Sequence, residues 1–126
     1  MFCTFFMPWP PTLNTMWRTT VIKGRQRTLL SEKGRAYRDE VIAQSMIWRQ
    51  GATLIRYPLP TPCSILFVGY PPNRAERDAD NHMKAPLDAL VHAGVLRGDS
   101  NRHVVDLRFK WEAPTKKPFL HVTITW

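Results

Sequence analysis

Apolar positions along this chain fall into three patterns, and each predicts a different kind of element. The first is the short apolar run. Residues 2–7, FCTFFM, form one, closed by PWPP because proline cannot donate to a sheet ladder. Residues 63–70, CSILFVGY, form a nearly continuous second run, the mark of a strand covered on both faces. The second pattern is alternation. In HVVDLRFKW, residues 103–111, Val105, Leu107, Phe109 and Trp111 share one face, and Asp106, Arg108 and Lys110 share the other. In FLHVTITW, residues 119–126, Leu120, Val122, Ile124 and Trp126 do the same. With EAPTKKP reversing the chain between them, these two segments predict a C-terminal antiparallel hairpin with an apolar inner face.

The third pattern is helical. Tyr37, Val41, Ser45 and Trp48 recur near helical spacing and predict a helix over about 31–50. Ser31 suits its N-cap, Glu32 its positive end, and Gly51 its stop. A second helix is expected over roughly 81–93, ended by Gly94. Pro86 lies inside it, and an interior proline costs about 3 kcal/mol. The spacing therefore predicts either a kink near 82–86 or an irregular turn with the helix starting after it.

Between these elements, residues 18–30, RTTVIKGRQRTLL, read as a short hairpin or ordered loop around Gly24. ATLIRYPLPTP, residues 52–62, reads as a connector, PPNRAER as a loop, and VLRGDSN as a turn. The order is strand, basic loop, helix, strand, helix and a strand pair. That order predicts an α+β fold, a mixed sheet with two main helices packed on it. At 126 residues the chain suits a single domain, residues 1–126, large enough to bury a real core.

Charge changes the picture. Eighteen Lys and Arg stand against ten Asp and Glu, a net +8, which favours a polyanionic partner such as DNA or RNA. Arg18, Lys23, Arg25 and Arg27 gather in the 18–30 segment with no acid among them, and Arg74 and Arg77 flank the loop after the 63–70 strand. These six are the candidate phosphate contacts; the alternative for each is a solvated surface charge. A membrane is disfavoured as partner, since no apolar run approaches the ~20 residues a spanning helix needs. MFCTFFMPWPP lacks the basic lead of a signal peptide. Cys3 and Cys63 make no CxxC and no zinc spacing, and read as buried thiols in a reducing cytosol, with a single disulfide left open.

Against this basic background, Asp78, Asp80 and Asp99 stand out. In an extended segment Asp78 and Asp80 point the same way. Asp99 follows a helix that turns the chain back toward them. Three converging carboxylates repel one another, and a divalent cation relieves the conflict; oxygen-only ligands favour Mg²⁺ or Mn²⁺. Lys84, four residues after Asp80, suits a phosphate oxygen beside such a cluster. Spacing alone leaves a structural alternative open. In it Asp80 caps the helix, Asp99 serves a turn, and Lys84 and Asp88 are an i,i+4 surface pair worth about 0.2–0.5 kcal/mol. His82 is expected to be solvated. Trp9 and Trp17 are read as packing beneath the basic loop, with contact to a base as the other option.

PWPPTLNTMWR at 8–18, LSEKGRAYRDEV at 30–41 and RDADNHMKAPLDALVHAGVLRGDS at 77–100 together resemble the RusA family of Holliday junction resolvases. The combined D-x-D-N-x-x-K-x-x-x-D-A-L pattern with its later Asp is far more specific than D-x-D alone. The resemblance implies a RusA-like fold and a homodimeric, Mg²⁺- or Mn²⁺-dependent endodeoxyribonuclease. Such an enzyme cuts four-way DNA junctions by paired symmetric nicks, in recombination and repair. It makes Asp78, Asp80 and Asp99 the metal ligands and Lys84 the essential lysine, in a bacterial or phage-encoded cytoplasmic protein. Two departures stand out. Gly98 occupies a position where the family often has a second acid, and Pro86 one where many members carry a freer helix former. The rival readings are a basic DNA- or RNA-binding module whose acids are structural, and a nuclease for other branched DNA such as flaps and forks.

Overall fold

The computed structural model describes residues 1–51 and 54–126. Strand β1 (Phe2–Pro8) alternates exposed and buried positions, then the prolines end it. Thr12 caps a one-turn helix, α1 (Leu13–Met16), which the apolar pattern did not reveal. Strands β2 (Trp17–Ile22) and β3 (Arg25–Leu30) form a separate two-stranded sheet. The two residues at their turn, Lys23 and Gly24, both have positive φ, 51° and 74°. That is the two-residue geometry matching the twist of a hairpin. The expected basic loop is thus a hairpin with Lys23 at its tip.

Helix α2 (Glu32–Gly51) starts where expected, with the Gly34 amide donating to Ser31 Oγ at 3.1 Å. Tyr37, Val41 and Ser45 are buried, and Trp48 stacks on Phe5 of β1 with ring centroids 4.1 Å apart. Gly34 lies so close to α1 that an added Cβ would sit 2.6 Å from the Met16 carbonyl oxygen. The first two residues of the expected connector, 52 and 53, lie outside the described residues. Farther along it Leu59 is fully buried, its amide donating to the Val95 carbonyl at 2.9 Å.

Strand β4 (Cys63–Tyr70) is central. A 3₁₀ turn (Asp80–His82) leads into helix α3 (Lys84–His92), so the irregular-turn solution to Pro86 is the one adopted. Pro86 is the third helical residue, where its missing N–H is one the helix would leave unpaired anyway. Gly94, at φ 73°, closes α3: the Val95 amide reaches the Leu90 carbonyl and the Gly94 amide the Val91 carbonyl, both at 3.0 Å. That pair of bonds satisfies the last carbonyls of the helix.

Strands β5 (Val104–Trp111) and β6 (Phe119–Thr125) form where alternation placed them and run in opposite directions, but they do not pair as a hairpin. The sheet order is β1-β6-β4-β5, with β4 between them, parallel to β5 and antiparallel to β6. The expectation of an adjacent pair is corrected by the seven-residue connection, long enough to cross one strand. One sheet face carries Cys3, Phe5, Met7, Ile65, Phe67, Leu120, Val122 and Ile124, all buried with residues of α2 and α3. Burying one such side chain fully contributes about 1.5–3 kcal/mol. The alternate residues of β4 are only half-buried, so β4 is not sealed on both faces as its apolar run suggested.

At β5, the sheet edge, cover thins. A register shift at Cys63/Ser64 leaves Val105 unpaired and 61% exposed. Leu107, Phe109 and Trp111 share the face of Ile65, Phe67 and Gly69, yet Trp111 stays 36% exposed.

Candidate active site

The loop after β4 and the 3₁₀ turn carry the first two aspartates. Ala79 is helical, with φ −60° and ψ −41°. The period-two alternation of an extended chain therefore fails between Asp78 and Asp80. Asp78 lines an open cleft of about 340 Å³ with Thr12, Glu76, Arg77, Asn81 and His82. Asp80 is the first residue of the 3₁₀ turn, and neither that turn nor α3 has a side-chain cap, so the capping role weighed for Asp80 is not made.

Lys84 opens α3. Its ammonium donates to Asp99 Oδ2 at 3.2 Å and lies 3.0 Å from Asp88 Oδ1. The late aspartate thus comes back to the helix start four residues after Asp80, and the i,i+4 pair with Asp88 exists beside it. The Lys84 ammonium is held protonated above its ordinary value. The hydrogen bond to Asp88 contributes most, burial opposes it, and the bond to Asp99 adds to it.

As the side chains stand, no three His, Cys, Asp or Glu groups among the described residues are gathered closely enough to hold a metal ion. The helical turn at Ala79 separates Asp78 from Asp80, and Lys84 holds Asp99. The chemistry of the donor set still suits a hard divalent cation: all three are carboxylates on exposed residues, with an ammonium already neutralising one of them.

His82 is not solvated. It is buried, 3% exposed, with Nδ1 2.9 Å from the Asp78 carbonyl oxygen. Its ring packs against both Trp9 and Trp111, at 5.3 and 5.6 Å between centroids. Trp9 is therefore packing, and so is Trp17, half-buried against the core. Gly98 meets a side chain rather than leaving a gap: a Cβ there would lie 2.7 Å from the His103 ring. His103 thus fills the space in which an acid at 98 would begin.

Of the basic residues, Arg18, Lys23, Arg25 and Arg27 are exposed along the β2–β3 hairpin, and Arg74 is exposed on the loop. Arg77 is different. Its Nη1 donates to the Asn73 and Ala75 carbonyls at 3.1 and 2.9 Å, and its Nη2 to Asn73 Oδ1 at 2.6 Å. These bonds brace the loop that leads to Asp78. Asp88 and Trp111 lie in surroundings that spacing alone did not show: Asp88 shares Lys84 with Asp99, and Trp111 is 36% exposed. Asp88 read as a surface charge, and Trp111, set among strand alternation, read as core.

Comparison with known proteins agrees with this architecture. The family model for the endodeoxyribonuclease RusA matches residues 8–125. The chain is 37% identical over 119 residues to the crossover junction endodeoxyribonuclease rusA of Enterobacteria phage 82, covering 94% of this chain and 90% of that protein. The crossover junction endodeoxyribonucleases RusA of Shigella sonnei and of Escherichia coli match over the same shares at the same identity. A match of that extent, on a mixed sheet whose turn and helix carry the D-x-D-N-x-x-K segment, means that this chain belongs to the RusA family of endodeoxyribonucleases.

Proposed function

We propose that residues 1–126 work as one endonuclease domain that resolves four-way DNA junctions by hydrolysing a phosphodiester on each of two symmetric strands. Asp78, Asp80 and Asp99 hold a divalent cation, Mg²⁺ or Mn²⁺, which when bound supplies Lewis acidity and water activation. Lys84 takes a non-bridging oxygen of the scissile phosphate. Its ammonium has three donors; Asp88 keeps one in place while a phosphate competes with Asp99 for another. At 4 Å and an effective dielectric near 20 a unit charge pair is worth about 4 kcal/mol before desolvation, enough to orient the phosphate and offset charge growing on it. Water adds to phosphorus, the bond to the 3′ oxygen breaks, and that oxygen takes a proton, leaving 5′-phosphate and 3′-hydroxyl ends. Arg18, Lys23, Arg25 and Arg27 contact backbone phosphates of the arms, with Arg74 nearer the loop. A two-fold homodimer supplies the second site for the paired nick.

The observation that supports this reading most is the contact of Lys84 with Asp99, because it joins two segments fifteen residues apart at the start of α3. The test is cleavage of a mobile four-way junction beside flap, fork and duplex controls, in Mg²⁺, in Mn²⁺ and in chelator. Metal-dependent paired nicking of the four-way junction is expected. Asp80→Asn is expected to abolish cutting and keep junction binding. Preferred cutting of flaps or forks would move the substrate to other branched DNA. Binding without metal-dependent cutting would make the chain a binding module.

A further inference from the structure

Resting on that reading of the chain as a branched-DNA nuclease, we propose that Trp111 is a stacking platform for one unstacked nucleobase of the junction. The base sits in the cleft between the 71–77 loop and the end of β5. This cleft has a volume of about 340 Å³, within the range of small-ligand sites. Pro71 and Pro114 form apolar walls with Trp111, and its polar groups include Asn73, Arg74 and Arg77 beside Glu76 and Glu112.

The chemistry of this lining suits a neutral base. Two carboxylates and two guanidinium groups, Glu76 and Glu112 against Arg74 and Arg77, leave the cleft without the net positive charge that would hold a phosphate inside it, and Lys110 lies 3.0 Å from Glu112. Carboxylates accept readily from the exocyclic amines of adenine, cytosine and guanine. Arg74 donates to ring or carbonyl acceptors, or to the phosphate at the rim. The indole provides a π-face that every base matches, so the site reads an unstacked nucleotide without demanding its identity.

The platform is held from behind. Phe109 lies 4.7 Å from Trp111 between centroids, His82 5.6 Å and Trp9 6.1 Å. Phe109 gets that close to the sheet because Gly69 of β4, in register with Trp111, leaves it room: a Cβ there would lie 2.8 Å from the Phe109 ring. An aromatic row therefore runs from the core at Phe67 through Phe109 to Trp111 at the surface. A large side chain fixed in this way loses little freedom when a base lands on it.

The cleft also lies in the right place. Trp111 touches His82, whose Nδ1 is 2.9 Å from the Asp78 carbonyl. The second cleft, which holds Asp78, shares Glu76 and Arg77 with the first. A strand whose phosphate lies at the aspartates thus has a neighbouring nucleotide within reach of Trp111. Bases at a junction's exchange point are the least costly to take out of a stack, since their partners already diverge. A continuous duplex offers no such base, which gives the enzyme a means of favouring branched DNA.

The test is a cycle between protein and DNA, read as binding in chelator so that cutting does not intervene. Single abasic nucleotides are placed in turn at positions flanking the exchange point. Wild-type protein is expected to lose about tenfold in affinity at one such position, within the range for one base–aromatic stack. Trp111→Leu, which keeps bulk without a π-face, is expected to lose about tenfold on the intact junction and nothing more at that position. Trp111→Phe is expected to bind within about threefold of wild type. Unchanged binding by Trp111→Leu, or losses that simply add, overturns the proposal. A second measurement needs no variant: junctions with a photoreactive halogenated uracil at the same position are crosslinked to the wild-type chain. Attachment at Trp111 supports the proposal, and attachment only elsewhere overturns it. A wild-type chain that neither binds nor cuts branched DNA removes the nuclease reading as well. A chain that cuts junctions while Trp111 proves indifferent removes this inference alone.

Discussion

The segment from Asp78 to Leu96 and the β2–β3 hairpin both bear charges proposed to meet DNA, yet they are built in opposite ways. Helix α3 buries Ala85, Pro86, Leu87, Ala89 and Leu90, and Val95 and Leu96 continue that burial beyond it. Lys84 and Asp88 lie on its partly exposed side. The hairpin buries nothing fully; its positions are exposed from Val21 to Thr28, and its ends rest on the core only through Trp17 and Leu30. The difference teaches where each kind of chemistry belongs. Aligning a carboxylate and an ammonium on one phosphate demands positions fixed to fractions of an ångström, so it sits on an element the core holds. Attraction of a polyanion works over the Debye length of about 8 Å at physiological salt, so it tolerates a thinly anchored ribbon.

That contrast is breakable by experiment. The largest effect is expected at Leu90, fully buried beneath α3: Leu90→Ala lowers unfolding free energy by about 2–5 kcal/mol in denaturant melts. A loss as small as that from a hairpin change would erase the distinction.

The core side also has a pH signature. Burial, and next to it the Cys63 thiol, pushes the Cys3 thiol up from 9.0 to about 11, and burial raises Cys63 as well. An unfolded chain releases these protons near 9 while the folded chain keeps them, so the unfolded state binds fewer protons above that pH. Stability is expected to be full below pH 9 and to fall as pH rises from 9 toward 11. Melts of wild type beside a Cys3→Ala, Cys63→Ala chain check this, the double variant showing the shallower decline.

On the hairpin, Gly24 has φ 74° and open space around it, so Gly24→Ala meets no clash and bears only backbone strain. The expected cost is about 1–2 kcal/mol, seen as a small shift in the melting midpoint. The smallest effect on stability belongs to the hairpin charges. Changing Arg18, Lys23, Arg25 and Arg27 to Gln alters unfolding free energy by less than about 0.5 kcal/mol per site. It is expected to flatten the dependence of log binding constant on log salt by up to about 3.6, at roughly 0.9 per phosphate. Junction affinities measured across salt concentrations decide this; an unchanged slope would remove the hairpin from the DNA interface.

The sequence by itself determined the local events. Ser31 caps α2, Gly94 closes α3, Pro86 demands a kink or an irregular turn near the start of α3, and alternation marks β5 and β6, because each depends on a few neighbouring residues and the backbone rules acting on them. It also carried the D-x-D-N-x-x-K segment, which needs no fold to be seen. Only tertiary structure decided that β4 lies between β5 and β6: both of those strands offer an apolar face, and their order depends on which packing buries most of it against α2 and α3. For the same reason the burial of His82, the bracing role of Arg77 and the half-exposed ring of Trp111 were not legible beforehand. Each depends on atoms brought from distant parts of the chain, such as Trp9 on His82 and Gly69 under Phe109, and no spacing within one segment encodes such a meeting.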